Sequence, residues 1–210
     1  RVKTSWVAGA SGLVGGALLE RLLASDDFET VVAVGRRSLP IQRLKLRQAT
    51  VDFADPGAFA ALDAPEAAFC CLGTTIKKAG SPEAFRAVDL DAVVHFARAA
   101  REKGAKSFLL VSALGADARS AMLYNKVKGQ AEDAVAALGF ESVYAFRPSI
   151  LDGDRAESRP LEKASLVVGR ALGPLLGKYR PTLVSSVAEA MVAAARKPKP
   201  GVHVVERFDR

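Results

Sequence analysis

Tyr124 and Lys128 stand four residues apart in Tyr124-Asn125-Lys126-Val127-Lys128. On a helix that spacing puts both side chains on one face. Ser112 lies twelve residues before Tyr124, closing the apolar run Ser107-Phe108-Leu109-Leu110-Val111. A hydroxyl, a phenol and an ammonium held together suit carbonyl reduction. Hydride addition leaves an alkoxide that needs a proton. A free phenol, ionising near pH 10, transfers protons poorly at neutral pH. A neighbouring ammonium and the positive ring of an oxidised nicotinamide both favour the phenolate. Tyr124 then serves as general acid or base. Lys128 tunes it and holds the nicotinamide ribose, and Ser112 donates to the carbonyl oxygen as charge develops. The plain alternative is a surface Tyr–Lys pair. Tyr-x-x-x-Lys is common by itself, so the reading depends on a nucleotide site elsewhere in the chain.

Such a site is written near the start. The run Trp6-Val7-Ala8 leads into Gly9-Ala10-Ser11-Gly12-Leu13-Val14-Gly15, and apolar residues follow at Val14, Leu18 and Leu22. This is strand, glycine turn and helix, the order in which three glycines permit a tight turn, close approach of a diphosphate and close helix–strand packing. The helix start offers unpaired amides to an anion. The next apolar run, Thr30 to Gly35, ends in Arg36-Arg37. An acid at that strand tip selects a ribose 2′-hydroxyl and an arginine favours a 2′-phosphate. The acid is missing and two arginines are present, which reads as NADP rather than NAD. Asp52 closes the next strand, where it either accepts from an adenine amino group or braces the following loop.

The elements alternate. Strands are expected at Leu46–Phe53, Ala67–Gly73, Ser107–Ser112, Ser142–Arg147 and Gly201–Val205. Helices are expected at about 13–24, 58–62, 82–103, 121–138, 161–172 and 186–196, the last opened by the capping-box spacing Ser186-Val187-Ala188-Glu189. Asp55 should cap the second, and Ile76 to Gly80 reads as a polar loop. Strand–helix alternation predicts an α/β, doubly wound parallel sheet. One domain over 1–210 is expected, with 151–182 as a small substrate-side cap. His95 lies off the apolar stripe of its helix and is given no role; His203 is read as structural.

Bulk properties set limits. Of 210 residues half are hydrophobic and a quarter charged, and the net charge is +7. The basic balance suits an anionic cofactor, and no zinc-finger spacing or long Lys/Arg run points to nucleic acid. No run of 18 or more apolar residues occurs, so no membrane span is expected. Cys70 and Cys71 are adjacent and read as small buried hydrophobes, with no metal role. Unbridged cysteines suggest a reducing compartment, taken as the cytoplasm.

The whole pattern resembles the short-chain dehydrogenase/reductases. The runs Cys70-Cys71-Leu72-Gly73-Thr74-Thr75, Lys77-Lys78-Ala79-Gly80-Ser81, Val111-Ser112-Ala113-Leu114-Gly115-Ala116-Asp117 and Tyr124 to Glu132 look like the Tat-interactive-protein-like group of atypical members. The resemblance implies a Rossmann fold and an NADPH-dependent oxidoreductase acting on a small carbonyl or quinone-like compound. The alternative is an NADPH-sensing, protein-binding module with little turnover. By the same resemblance Gly9, Ser11, Gly12, Leu13, Val14, Arg36 and Arg37 bind the cofactor. Asp52 and Phe53 lie near adenine, and Leu72, Gly73 and Thr74 line the ribose side. Ser112, Tyr124 and Lys128 match the catalytic positions. A homodimer is possible. Two departures stand out. Where many members carry a catalytic Asn, this chain has Asp89 or Asp91. Only about sixty residues follow the sixth strand, too few for the substrate domain of nucleotide-sugar enzymes.

Overall fold

Residues 1–152 and 181–208 are described by the structure, a computed structural model. Seven parallel strands form one sheet in the order β3-β2-β1-β4-β5-β6-β9. They are β1 (Val2–Ala8), β2 (Phe28–Gly35), β3 (Leu46–Thr50), β4 (Ala67–Cys70), β5 (Ser107–Val111), β6 (Ser142–Phe146) and β9 (Gly201–Val205). The register pairs Ala8 with Val34 on one side and Cys70 on the other. The strand order therefore reverses between β1 and β4, and a crevice opens beyond their carboxyl ends.

Period-2 alternation sends neighbouring side chains to opposite faces. Val7, Phe69, Leu109 and Phe146 join one core with α1 (Leu13–Ala24) and α6 (Val184–Arg196), against Leu18, Leu22, Val187 and Met191. Trp6, Cys70, Phe108 and Val143 join the other with α4 (Ala92–Glu102) and α5 (Leu123–Ala136), against Phe96, Ala100, Ala131 and Val135. Each such leucine or phenylalanine contributes roughly 1.5–3 kcal/mol by leaving water. Trp6 is fully buried because its indole N–H finds the Asp63 carbonyl at 3.0 Å.

Several local expectations need correction. β3 stops at Thr50, three residues before Phe53. The second expected helix is a single 3₁₀ turn, Pro56–Phe59, capped by Asp55, which accepts from the Gly57 N–H at 2.8 Å. The loop at 76–80 instead holds α2 (Ile76–Ala79), because Thr75 Oγ1 accepts from the Lys78 N–H and Gly80 closes the turn at φ +89°. The helix expected without a break over 82–103 is α3 (Pro82–Arg86), a π turn (Ala87–Asp91) and α4. The capping box at Ser186 does not form. The short strand β8 (Thr182–Leu183), paired with β7 (Leu151–Asp152), runs directly into α6, and Ser186 is buried inside that helix. The expected helix at 161–172 and nearly all of the expected cap lie outside the described residues. Among the described residues no helix is long and apolar enough to cross a membrane.

Candidate functional site

The glycine turn is built as its spacing implies. Gly9 has φ +80°, and a Cβ there would stand 2.4 Å from the Cys71 carbonyl oxygen. A Cβ on Gly15 would stand 2.1 Å from the Gly9 carbonyl oxygen. The first contact presses the turn onto the end of β4, and the second presses α1 onto the turn. Gly12 donates its N–H to the Gly9 carbonyl at 3.0 Å and stands at the N-cap of α1, where no side chain caps the helix. The first amides of α1 are thus left for an anion. Ser11 is exposed over the turn, Leu13 is half-buried and Val14 is in the core, so the last two offer main chain rather than side chain.

From this turn a cleft of about 790 Å³ runs along the strand ends, past Gly35 to Pro40 on one wall and Cys71 to Gly73 on the other. Arg36 and Arg37 line it, exposed and without an ion-pair partner among the described residues. Other members of the same basic stretch are engaged: Lys45 with Asp26, and Arg47 with Asp63. Asp52 Oδ1 accepts from the Ala54 N–H at 2.9 Å, so it braces the loop while lining the cleft. Phe53 is largely core, with its ring 6.0 Å from Phe59 and 6.2 Å from Phe96. Its carbonyl oxygen meets His95 Nδ1 at 2.9 Å. His95, given no role from sequence, lines the cleft with Val88, Asp91 and Ala92. That spacing of three, four and seven residues is a helical stripe. It becomes visible only when the cleft is known, because it lies beside the apolar stripe that packs into the core.

The far end is built from buried charge. Lys128 Nζ lies 2.8 Å from Asp89 Oδ1, and the two side chains are 7% and 0% exposed. Asp89 Oδ2 accepts from the Thr74 N–H at 2.9 Å. Thr74 is therefore engaged through its backbone, while Leu72 and Gly73 line the cleft. A Cβ on Gly73 would stand 3.4 Å from both Asp89 Oδ1 and Lys128 Nζ, so this glycine is the thin wall between cleft and ion pair. Burial opposes the charge on Lys128. The Asp89 carboxylate, helped by Tyr124, nevertheless holds its pKa above the ordinary lysine value. Helix α5 comes this close because Gly129 has no side chain: a Cβ there would meet the Ala118 nitrogen at 2.2 Å. Arg147 clamps the same helix to the end of β6 by a two-pronged contact with Glu132.

Tyr124, one turn before Lys128, is half-buried and stacks on Phe85 with centroids 5.6 Å apart. Ser112 follows β5 directly, and its N–H donates to the Phe146 carbonyl at 2.7 Å. Its Oγ is buried and has no hydrogen-bond partner among the described residues. A buried hydroxyl without a partner is costly, and it fits a site that a ligand completes. Burial pushes the Cys70 thiol up to about 12, against a Leu72 backbone hydrogen bond and the Lys128 charge, which pull it down, so it is inert packing as expected. Of the two acids offered by the sequence, Asp89 is the one beside Lys128, and Asp91 is exposed on the cleft. The signal was present. Asp89 falls on the apolar stripe Phe85, Val93, Phe96 and Ala97 at helical spacing, and a carboxylate there must be buried with a partner.

Comparison with known proteins identifies the family and the fold. The profile of a family described as NAD(P)H-binding matches residues 9–198. Protein HTATIP2 of Rattus norvegicus is 41% identical over 164 residues, covering 76% of this chain and 67% of its own. The mitochondrial protein FMP52 of Coccidioides immitis is 36% identical over 208 residues, covering 91% and 85%. Among solved structures, MoeE5 in complex with UDP-glucose and NAD superposes with a TM-score of 0.73 at 22% identity, over 96% of this chain and 74% of that one. Bordetella bronchiseptica WbmH in complex with NAD⁺ gives 0.71 at 17% identity, over 97% and 75%. These two share the fold, the doubly wound Rossmann sheet expected from sequence. The expected cytoplasmic location is overturned, since FMP52 relatives from several fungi are named mitochondrial. It had rested on unbridged cysteines, which report a reducing environment and not which compartment supplies it. The chain belongs to the NAD(P)H-binding family, in the HTATIP2-like group of atypical short-chain dehydrogenase/reductases.

Proposed function

We propose that this protein is an NADPH-dependent oxidoreductase that reduces a small carbonyl or quinone-like compound. The observation that carries the reading is Lys128. It is a buried ammonium behind Gly73, at the end of the cleft that begins at the glycine turn, with Tyr124 one helical turn away. The α1 amides beside Gly12, with Ser11 above them, would hold the cofactor diphosphate. Arg36 and Arg37 would hold a 2′-phosphate, being guanidinium groups without an ion-pair partner among the described residues, where an acid would otherwise select a hydroxyl. Asp52 and Phe53 flank the adenine end, and Leu72, Gly73 and Thr74 pass the ribose. A bound nicotinamide supplies the hydride.

The chain supplies the rest. Ser112 Oγ, which has no hydrogen-bond partner among the described residues, donates to the substrate oxygen and stabilises the negative charge that grows there. Tyr124 passes its phenolic proton to that oxygen, so hydride and proton together complete the alcohol. Lys128 stabilises the phenolate that remains and stands ready to donate to ribose hydroxyls. The test is NADPH oxidation against a panel of aldehydes, ketones and quinones, with Tyr124→Phe beside the parent. Turnover with at least one compound, lost in Tyr124→Phe while NADPH still binds, supports the reading. Full turnover in Tyr124→Phe overturns the mechanism. NADPH binding without turnover on any compound favours a sensing module instead.

A further inference from the structure

Asp89 does something that the cofactor-binding reading does not require. It is a fully buried carboxylate in the middle of a helix whose other inward residues are Phe85, Val93 and Phe96. It sits in the π turn Ala87–Asp91, which accommodates one more residue than an α turn and is a common local change at functional sites. Both of its oxygens are used within the site: Oδ2 fixes the Thr74 N–H at 2.9 Å, and Oδ1 faces Lys128 Nζ at 2.8 Å. One carboxylate thus ties the loop after β4, the π turn and helix α5 together. Among the described residues, the titratable groups facing Lys128 are Asp89 from the π turn, Tyr124 from its own helix, and Cys70 and Cys71 from the end of β4. The two thiols are neutral over the working range because burial raises both. Asp89 is then the acidic group among them in contact with the Lys128 ammonium.

We propose that Asp89 is a positioning residue: its carboxylate keeps the buried Lys128 an ammonium and aims it at Gly73, the thin wall through which the cleft reaches it. An isolated buried ammonium sheds its proton rather than remain charged. A neutral amine could neither support a phenolate on Tyr124 nor hold its place against Asp89. The proposal rests on the catalytic reading for the use of that charge, but the charge itself is measurable without cofactor or substrate.

The experiment compares urea unfolding midpoints of the cofactor-free parent, Asp89→Asn and the double variant Asp89→Asn/Lys128→Met from pH 6.5 to 8.5. Ionisation of the unfolded thiols begins at the top of this window and is common to all three proteins, so it cancels in the comparison. In the parent the folded-state pKa of Lys128 is raised above the unfolded value, so both states hold the proton here and Lys128 adds no slope. In Asp89→Asn burial is no longer opposed. The folded state then binds fewer protons than the unfolded one, and stability rises with pH, by up to tenfold in the folding equilibrium per unit. The double variant loses that added slope. A structural role for Asp89 alone, through Thr74, would lower the midpoint equally at every pH. Identical pH dependence in parent and Asp89→Asn overturns the proposal. If Asp89→Asn does not fold, a folded double variant supports the pair and an unfolded one counts against it. Loss of turnover is not used, so failure here and failure of the oxidoreductase reading are separate results. Asp89→Glu, which restores the charge, is expected to remove the anomalous slope.

Discussion

The two ends of the cleft handle charge in opposite ways. At the open end Arg36 and Arg37 are exposed and unpaired among the described residues, and Asp91 stands in water. At the other end Lys128 and Asp89 are out of water and in contact with each other. Exposed charges are screened within about 8 Å at physiological salt, so they can select an anionic ligand while adding little to folding. Buried charges are screened far less, and each must have its partner. The same chemistry therefore suits one end to taking up an anion from solution, while the other carries its counter-charge within the fold. Gly73 marks the boundary between them.

The comparison can be broken most sharply at the buried end. Tyr124→Phe is expected to lower kcat by roughly 10²–10⁴-fold, the usual worth of a positioned acid–base group, with NADPH affinity changed only a few-fold. Steady-state kinetics beside a fluorescence titration would check both halves. Ser112→Ala should cost roughly 10²-fold in kcat with little change in KM, as expected of a donor that acts on developing charge. It should also leave the unfolding midpoint unchanged or raised, because it removes a hydroxyl that has no hydrogen-bond partner among the described residues. A lowered midpoint would show that the hydroxyl is satisfied in the free protein.

The open end should respond differently. Arg36→Ala with Arg37→Ala is expected to weaken NADPH by roughly tenfold or more and to leave NADH nearly unchanged. The preference of the parent for NADPH should shrink as salt rises. Equal losses for the two cofactors would remove the 2′-phosphate from the account. Gly15→Ala tests the turn that both ends share. The new methyl would meet the Gly9 carbonyl, and a loss of about 1–3 kcal/mol is expected in denaturant unfolding. The smallest effect concerns Cys70. Its folded pKa is raised to about 12, so the folded state resists ionising it. Its contribution is present below about pH 9 and is lost as pH climbs from there toward 12. In native protein at pH 8 it should stay unreactive toward a thiol reagent that labels it in urea.

Much of this was legible before the fold was known. The glycine turn, Arg36-Arg37 and Tyr124-x-x-x-Lys128 are local patterns, and each carries its geometry in its spacing. What misled was also local. Ser186 has capping-box spacing, but β8 enters α6 two residues earlier and leaves that serine inside the helix. The run to Phe53 is apolar enough for a strand, yet β3 pairs only as far as Thr50, opposite Gly35. His95 is given no role from sequence, since nothing in its own helix shows that Phe53 lies within reach.

The sequence by itself determined the strands of the main sheet, their order and its parallel pairing, because hydrophobic period and turn chemistry act over a few residues. It also determined which residue types stand at the strand ends. Only the tertiary structure decided that Asp89 rather than Asp91 meets Lys128, that Thr74 is held by its backbone, and that Gly73 separates cleft from ion pair. Those outcomes depend on β4, the π turn and α5 meeting at one point. Asp89 and Lys128, 39 positions apart in the chain, then meet as an ion pair, and no local pattern encodes that distance.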